Sequence, residues 1–367
     1  MTKIESKPIV FTGGGSAGHV TPSLPIIKLL IQDGRQIIYI GSCNGIERTL
    51  IQKTVIPYEA ILSARLYRYA TAKNLLAPLL NLFGVVQSFL VLVKHNPSVV
   101  FSKGGFVSAP VAFAAWLLQI PVVLHESDLT PGLANRFAAW FATTICVTFP
   151  ETRNYFVQKE KVVYTGCPVR DELMEGTRER GLTFLEFTRE KPVILILGGS
   201  LGAQAINEVI RAMLPRLLNK FQVVHICGEG KTDASYAAIT GYRQFEYMHA
   251  EFADVLAAAD LVVSRAGSNS IYELLVLRKP HILVPLPRSA SRGDQYHNAE
   301  YFEKKGFSKI ILQEHMTEDT LFSAIMDVYN RLDQVKTAMN NFVPLDATLT
   351  IAQILTTLSK PNSALSQ

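Results

Sequence analysis

Residues Phe11–Pro22 read FTGGGSAGHVTP. An apolar strand, Pro8–Thr12, runs into the glycines. An apolar helix begins near Pro22 and carries Leu24, Ile26, Ile27, Leu29, Leu30 and Ile31. A strand, a glycine loop and a helix in that order form the opening unit of a doubly wound α/β sheet. Such a loop offers backbone N–H groups beside a helix N-terminus, which suits a phosphate or another anion. Gly13, Gly15 and Gly18 also fit G-x-G-x-x-G, the dinucleotide fingerprint. That fingerprint needs an acid at the end of the second strand to hold the ribose hydroxyls. Here QIIYIGSCNG ends in Ser42, Cys43 and Asn44, with no carboxylate before Glu47. A nicotinamide site is therefore disfavoured. His19, at the end of the loop, becomes a candidate to take a proton from a hydroxyl nucleophile.

Working outward, the pattern repeats. Strands are expected at Pro8–Thr12, Gln36–Gly41, Ser98–Ser102, Val122–His125, Thr144–Val147 and Val162–Thr165, with helical segments between most of them. The charged stretch EGTRERGLTFLEFTREK, Glu175–Lys191, marks a boundary near residue 168. A second series then begins with strand Val193–Leu197 and the loop GGSLGAQ. It continues through strands Gln222–Cys227, Gln244–Tyr247, Leu261–Ser264 and His281–Val284, with helices at Phe252–Ala259 and Ser270–Arg278. A last amphipathic helix is expected near Thr348–Leu358. The chain thus reads as two Rossmann-like domains facing across a cleft, with ligands beyond the strand C-termini.

Composition agrees. The 367 residues exceed one ordinary core, and 48% hydrophobic with 18% charged residues is globular. A net charge of +5 points to an anionic partner. The basic residues are not interleaved with aromatics as in an RNA or DNA module, so nucleic acid is not expected. Cys43, Cys146, Cys167 and Cys227 are scattered and read as free thiols of a reducing compartment. No apolar leader precedes the first strand, so no signal peptide is expected. No D-x-D occurs, so neither a carboxylate-held metal nor another cofactor is expected.

Leu75–Val93 and Gly104–Leu124 are each about as long as a membrane-spanning helix. Gly104, Gly105, Pro110 and Pro121 divide the second into loop, helix (Val111–Leu118), turn and strand. Pro78, Asn81, Gly84, Gln87 and Ser88 interrupt the first, so neither is read as a span. Ala60–His125 nevertheless holds no Asp or Glu, while carrying Arg65, Arg68, Lys73, Lys94 and Lys103. Leu66–Phe83 is therefore read as a membrane-contacting segment, and the helix after Gly84 as ordinarily buried.

Other loops add candidate chemistry. SKGGFVSAP, Ser102–Pro110, is a further strand–glycine–helix turn. HESDLTPGLANR sets Glu126, Asp128 and Asn135 near a strand end. Ser200 and the helix after it suit a phosphate. SRAGSNSIYELL contains Glu273, able to accept from a ribose diol or only to favour its helix N-terminus. SRGDQYHNAEYF contains Asp294 and Gln295, able to pair with sugar hydroxyls or only to cap a helix.

TGGGSAGHVTP, SKGGFVSAP, HESDLTPGLANR, GCPVR, LGGSLGAQAIN, SRAGSNSIYELL and RGDQYHNA, in this order, resemble the MurG family, over residues 8–358. These are the lipid-linked N-acetylglucosaminyltransferases of peptidoglycan synthesis. The resemblance implies the GT-B fold, with the final helix returning to the first domain. It implies an acceptor and membrane-facing domain over 1–168, a UDP-N-acetylglucosamine domain over 169–345, and a returning helix with its tail over 346–367. It also implies inverting transfer from UDP-N-acetylglucosamine to the 4-hydroxyl of N-acetylmuramoyl-pentapeptide on undecaprenyl diphosphate. The implied site has His19 as base and Glu126 as second candidate. Ser16, Ala17 and Gly18 face acceptor diphosphate and donor sugar, with Asp128, where some relatives have Asn, and Asn135 nearby. Ser200 and Arg170 hold the α-phosphate. Glu273 holds the ribose and Phe252 flanks the uracil. Ala266, Gly267, Ser268 and Asn269 form the adjoining loop, and Asp294 with Gln295 reads the donor sugar. The place implied is peripheral, on the cytoplasmic face of the cell membrane at an anionic surface. Another GT-B enzyme, such as a lipid glucosyltransferase or a UDP-sugar 2-epimerase, is the nearest rival.

Overall fold

The computed structural model describes residues 7–64, 73–198 and 203–360. The chain forms two compact units. One runs to Val169 and is joined by the chain from Leu345 onward; the other is Arg170–Pro344.

The first unit alternates β1 (Ile9–Thr12), α1 (Ser23–Gln32), β2 (Ile37–Ser42), α2 (Ile46–Gln52), β3 (Tyr58–Ile61), α3 (Lys73–His95), β4 (Val99–Ser102), α4 (Ser108–Leu117), β5 (Val122–Glu126), α5 (Leu133–Ala138), β6 (Thr144–Val147) and β7 (Val162–Tyr164). The seven strands are parallel in the order β3-β2-β1-β4-β5-β6-β7. Strand order reverses between β1 and β4, and ligand loops of such sheets gather where it does. The loops after these two strands touch: Gly14 N–H donates to the Gly104 carbonyl at 3.3 Å. Gly105 has φ +86°, and a Cβ there would lie 2.0 Å from the Gly14 carbonyl oxygen, so only glycine fits.

The second unit contains α6 (Arg178–Leu185), β8 (Val193–Leu197), α7 (Gln204–Ala212), α8 (Leu214–Leu218), β9 (Gln222–Ile226), β10 (Tyr242–Phe245), α9 (Phe252–Ala258), β11 (Leu261–Ser264), α10 (Ser268–Val276), β12 (His281–Leu283), α11 (Asp294–Lys304), β13 (Ser308–Ile310), α12 (Glu318–Asn330) and α13 (Leu332–Asn340). Its six parallel strands run β10-β9-β8-β11-β12-β13, with the reversal between β8 and β11. The last helix, α14 (Ala347–Leu358), belongs to the first unit and packs on α1. Ile351 and Leu355 of α14 are fully buried in one cluster with Ile9, Phe11, Ile26, Ile27 and Leu30. Burying each such side chain is worth about 1.5–3 kcal/mol.

The sequence reading differs at the sheet edges. β3 and β13 were not expected, and β10 starts two residues before the expected Gln244. Tyr242 is buried and pairs with Val223, which pins that register.

The helix α3 corrects a second expectation. It continues unbroken past Gly84, but its outer face is not buried: Val86, Leu90 and Val93 are each more than half exposed. With Leu76, Leu79, Leu82 and Phe83 they make an exposed apolar stripe at helical spacing. The opposite face is tied to the unit. Asn81 and Gln87 bond the backbone of Ala64 and Leu62, and a Cβ on Gly84 would meet the Leu62 carbonyl at 2.1 Å. By length and composition alone, Leu76–His95 could cross a membrane. Its polar side chains are instead spent on holding the loop after β3. Arg65, Arg68 and the first part of Leu66–Phe83 lie outside the described residues.

Three buried histidines set an acid limit on stability. Burial, and then Arg211, push His225 down to about 3; burial pushes His281 down to about 4; burial and then Lys103 push His125 well below its usual range. Each is neutral when folded but protonates in the unfolded chain near 6.5. Between those values the unfolded state binds more protons, so stability rises with pH across roughly 4 to 6.5. Each histidine contributes about 1.4 kcal/mol per unit of separation. The urea midpoint should be clearly lower at pH 4.5 than at pH 7; equal midpoints would contradict this.

Candidate active site

In the first unit the glycine loop ends in a single helical turn, Ala17–His19, preceded by Ser16. This turn brings the imidazole back over the loop. His19 Nδ1 lies 3.0 Å from the Gly14 carbonyl oxygen and 3.2 Å from Ser16 Oγ. A carbonyl only accepts, so Nδ1 carries the proton and Nε2 is the basic nitrogen of the neutral ring. The loop does not present a continuous row of N–H donors. Gly14 N–H is taken by Gly104, and Gly15 N–H donates to the Glu47 carboxylate at 3.1 Å. These glycines therefore serve more to seat His19 than to cradle an anion.

Glu126 ends β5 and is nearly fully buried. Its carboxylate accepts from Asp128 N at 2.9 Å, Gly132 N at 3.2 Å and Asn135 Nδ2 at 2.8 Å. It thus braces the turn that carries Asp128 and the start of the helix that carries Asn135. Three donors thus occupy its oxygens, and it could take a substrate proton only by giving up one of them. Lys103, 1% exposed, links the two loops: its side chain underlies Gly13 and its ammonium donates to Ser127. Burial lowers its pKa, while Cys167, Glu126 and Asp128 favour its charge.

In the second unit Arg170, Glu273 and Phe252 come together. Arg170 Nε and Nη2 donate to the two Glu273 oxygens at 2.9 and 3.1 Å, and the guanidinium lies 5.5 Å from the Phe252 ring centroid. Ala266 and Gly267 lead from β11 into α10, and Ser268 and Asn269 form its first turn, which leaves N–H groups at the helix start. Asn298 of α11 donates to the Ala266 carbonyl and fixes that loop. The Gln295 side-chain oxygen, Oε1, accepts from Leu286 N at 3.1 Å, and Asp294 lies 3.5 Å from Arg292. Ser200, with residues 199–202, lies outside the described residues; Gly198 N–H donates to the Ile226 carbonyl at 3.4 Å, and α7 follows the loop. No group of three or more His, Cys, Asp or Glu among the described residues could hold a metal ion.

Comparison with known proteins gives the family. The N-terminal and C-terminal domain profiles of glycosyltransferase family 28 match residues 9–147 and 193–354. The chain belongs to glycosyltransferase family 28. Its two parallel sheets with alternating helices are the GT-B architecture. A Bacillus cereus protein, UDP-N-acetylglucosamine--N-acetylmuramyl-(pentapeptide) pyrophosphoryl-undecaprenol N-acetylglucosamine transferase 2, is 52% identical over 95% of this chain and 98% of its own length. A Legionella pneumophila transferase of the same description is 48% identical over 90% of this chain and 91% of its own. Among solved structures, Acinetobacter baumannii MurG superposes with a TM-score of 0.77 at 27% identity, covering 96% and 99% of the two chains. A UDP-GlcNAc 2-epimerase from Neisseria meningitidis shares the fold alone, at TM-score 0.69 and 13% identity.

Two residues of the site were not singled out from the sequence. Glu47 and Lys103 act from beneath the loops. Their only sequence signal is a charged residue beside a run of buried strand residues.

Proposed function

We propose that this chain transfers N-acetylglucosamine from UDP-N-acetylglucosamine to the 4-hydroxyl of N-acetylmuramyl-pentapeptide carried on undecaprenyl diphosphate. The observation that carries the reading is the 52% identity, over nearly the whole of both chains, to a transferase of that description. In the proposed step, the acceptor 4-oxygen attacks the sugar C1 as the bond from C1 to UDP breaks. The hydroxyl proton passes to His19 Nε2. Ser16, Ala17, Gly18, Asp128 and Asn135 belong to the acceptor side. Glu126 serves as the brace of that loop. On the donor side Arg170 and Ser200 stabilise the leaving diphosphate, and Glu273 accepts from the ribose. Phe252 flanks the uracil. Ala266 to Asn269 supply the helix N-terminus, and Asp294 and Gln295 read the sugar. UDP release from purified protein should require a short-chain muramoyl-pentapeptide acceptor and should fail with UDP-glucose. Release without acceptor would point to an epimerase-like or hydrolytic reaction instead.

The acceptor is a lipid, and the proposed place of the enzyme is peripheral, on the cytoplasmic face of the membrane. The exposed stripe of α3 supports it. So do exposed Trp116, Phe137 and Trp140 on α4 and at the end of α5, since α4 packs against both α3 and α5. An exposed apolar helix face of this kind suits the boundary of a bilayer, although Lys94 at its end is paired with Glu59 at 2.9 Å. Replacing Leu79 and Phe83 together by Glu should weaken binding to anionic vesicles by about tenfold or more, since each removes roughly a kcal/mol or more of buried apolar area. Binding of the parent protein should fall with salt. Unchanged vesicle binding in the double variant would exclude α3 as the contact.

A further inference from the structure

The loop that seats His19 is itself held by a carboxylate. Glu47, in the first turn of α2, is fully buried. It accepts from Gly15 N at 3.1 Å, from Ser42 N at 3.1 Å and from Ser42 Oγ. On the other side of the loop, His19 Nδ1 donates to the Gly14 carbonyl at 3.0 Å. The Gly14 carbonyl and the Gly15 N–H are the two poles of one peptide group. Carboxylate, peptide and imidazole therefore form one hydrogen-bonded line.

We propose that Glu47 is a positioning residue that sets the orientation and basicity of His19 through the Gly14–Gly15 peptide. This rests on the reading of His19 as the base. In a planar trans peptide, N–H and C=O point in opposite directions, so the two partners must approach from opposite sides, as they do here. A carboxylate on the N–H polarises the amide and makes its carbonyl a stronger acceptor. When the acceptor hydroxyl gives its proton to Nε2, positive charge spreads to Nδ1–H, and the bond to Gly14 strengthens. No proton leaves Nδ1; the peptide transmits polarisation only.

The space around the carboxylate is reserved for it. A Cβ on Gly14 or Gly45 would lie within 2.5 Å of Glu47. Other titratable and charged groups also face the loop. Tyr39 of β2 donates to the Gly13 carbonyl at 2.8 Å, and Tyr58 of β3 donates to the Ser42 carbonyl at 2.6 Å. Burial first, and Glu47 second, raise both phenols, so both stay neutral. Arg48 is turned to the Cys43 carbonyl. Lys103 of the loop after β4 lies beneath Gly13 and bonds Ser127, and Gly105 and apolar Phe106 close that side.

The test titrates the His19 imidazole by nuclear magnetic resonance in the full-length protein and in Glu47→Gln, with kcat measured across pH on both. Gln keeps the shape and removes the charge. Loss of the carboxylate disfavours the imidazolium, so the His19 pKa should fall by about 0.5–1 unit. The acid limb of kcat should move down by the same amount. The limiting kcat should drop about fivefold to tenfold, with KM for UDP-N-acetylglucosamine unchanged. An unaltered His19 titration would overturn the proposal whatever happens to kcat. The base assignment is judged separately, because a His19→Gln variant that still turns over sinks that reading while the titration continues to report the coupling. If Glu47→Gln does not fold by circular dichroism, Ser42→Ala takes its place. It strips one donor from the carboxylate, concentrates its charge and should raise the His19 pKa; no rise would overturn the proposal equally.

Discussion

His19→Ala should lower kcat by about 10²- to 10⁴-fold, the usual range for removing a positioned general base. Binding of UDP-N-acetylglucosamine should persist, because the proposed donor groups Arg170, Phe252 and Glu273 belong to the other compact unit. The size of the loss follows from how firmly the ring is held. Nδ1 is committed to the Gly14 carbonyl, which leaves the lone pair on Nε2, and Gly105 packs against Nδ1 so closely that a Cβ there would come within 3.1 Å. A ring fixed on one side delivers its other nitrogen in one geometry. The measurement is single-turnover rate with a short-chain acceptor, alongside calorimetric binding of UDP. Rates within threefold of the parent would reject His19 as the base. In that case Glu126 would have to shed bonds from Asp128, Gly132 and Asn135 before it could serve.

Glu273→Ala should raise the dissociation constant for UDP by about 100-fold. Each hydrogen bond from a ribose hydroxyl to a charged carboxylate is worth about 1.5–3 kcal/mol, and removing Glu273 also strips Arg170 of its bidentate partner. In the described geometry both Glu273 oxygens face Arg170. Binding of UDP on the proposed reading therefore exchanges one ion pair for two contacts, guanidinium to diphosphate and carboxylate to ribose. A donor analogue lacking the ribose hydroxyls separates the two effects. It should bind the parent protein weakly, yet lose little further affinity in Glu273→Ala, since the partners it lacks are already gone. If analogue and variant penalties simply add, Glu273 does not touch the ribose and is there to hold Arg170.

Much of this was legible in the chain itself. Strands β1, β4, β8 and β11 are buried apolar runs that end in, or run directly into, glycine or a small polar residue, and β5 and β6 are equally buried. Both cues are local, so they survive without a partner in view. The edge strands β3 and β13 were not legible. YEAI and SKI carry no pattern of their own and are strands because β2 and β12 offer them free backbone groups. Asn81 and Gln87 looked like interruptions of an apolar segment, yet they are what fastens α3 to the unit. For the site, His19, Glu126 and Glu273 stand in quotable motifs. Glu47 does not. In sequence it is merely an acid arriving too late for a ribose, and its partner Gly15 is 32 residues away. A buried carboxylate reaching backward to a loop leaves no spacing rule to read.

The packing of α14 on α1 bears on how the molecule is made. Synthesis runs through the whole of Arg170–Pro344 before it reaches Ala347–Leu358. The earlier unit therefore shows an apolar flank at Ile26, Ile27 and Leu30 for the whole time the later one is being made, awaiting Ile351 and Leu355. The first half to be made is thus not the first to be completed. Until the last helix arrives, the nascent N-terminal half is a client for chaperones rather than a finished domain.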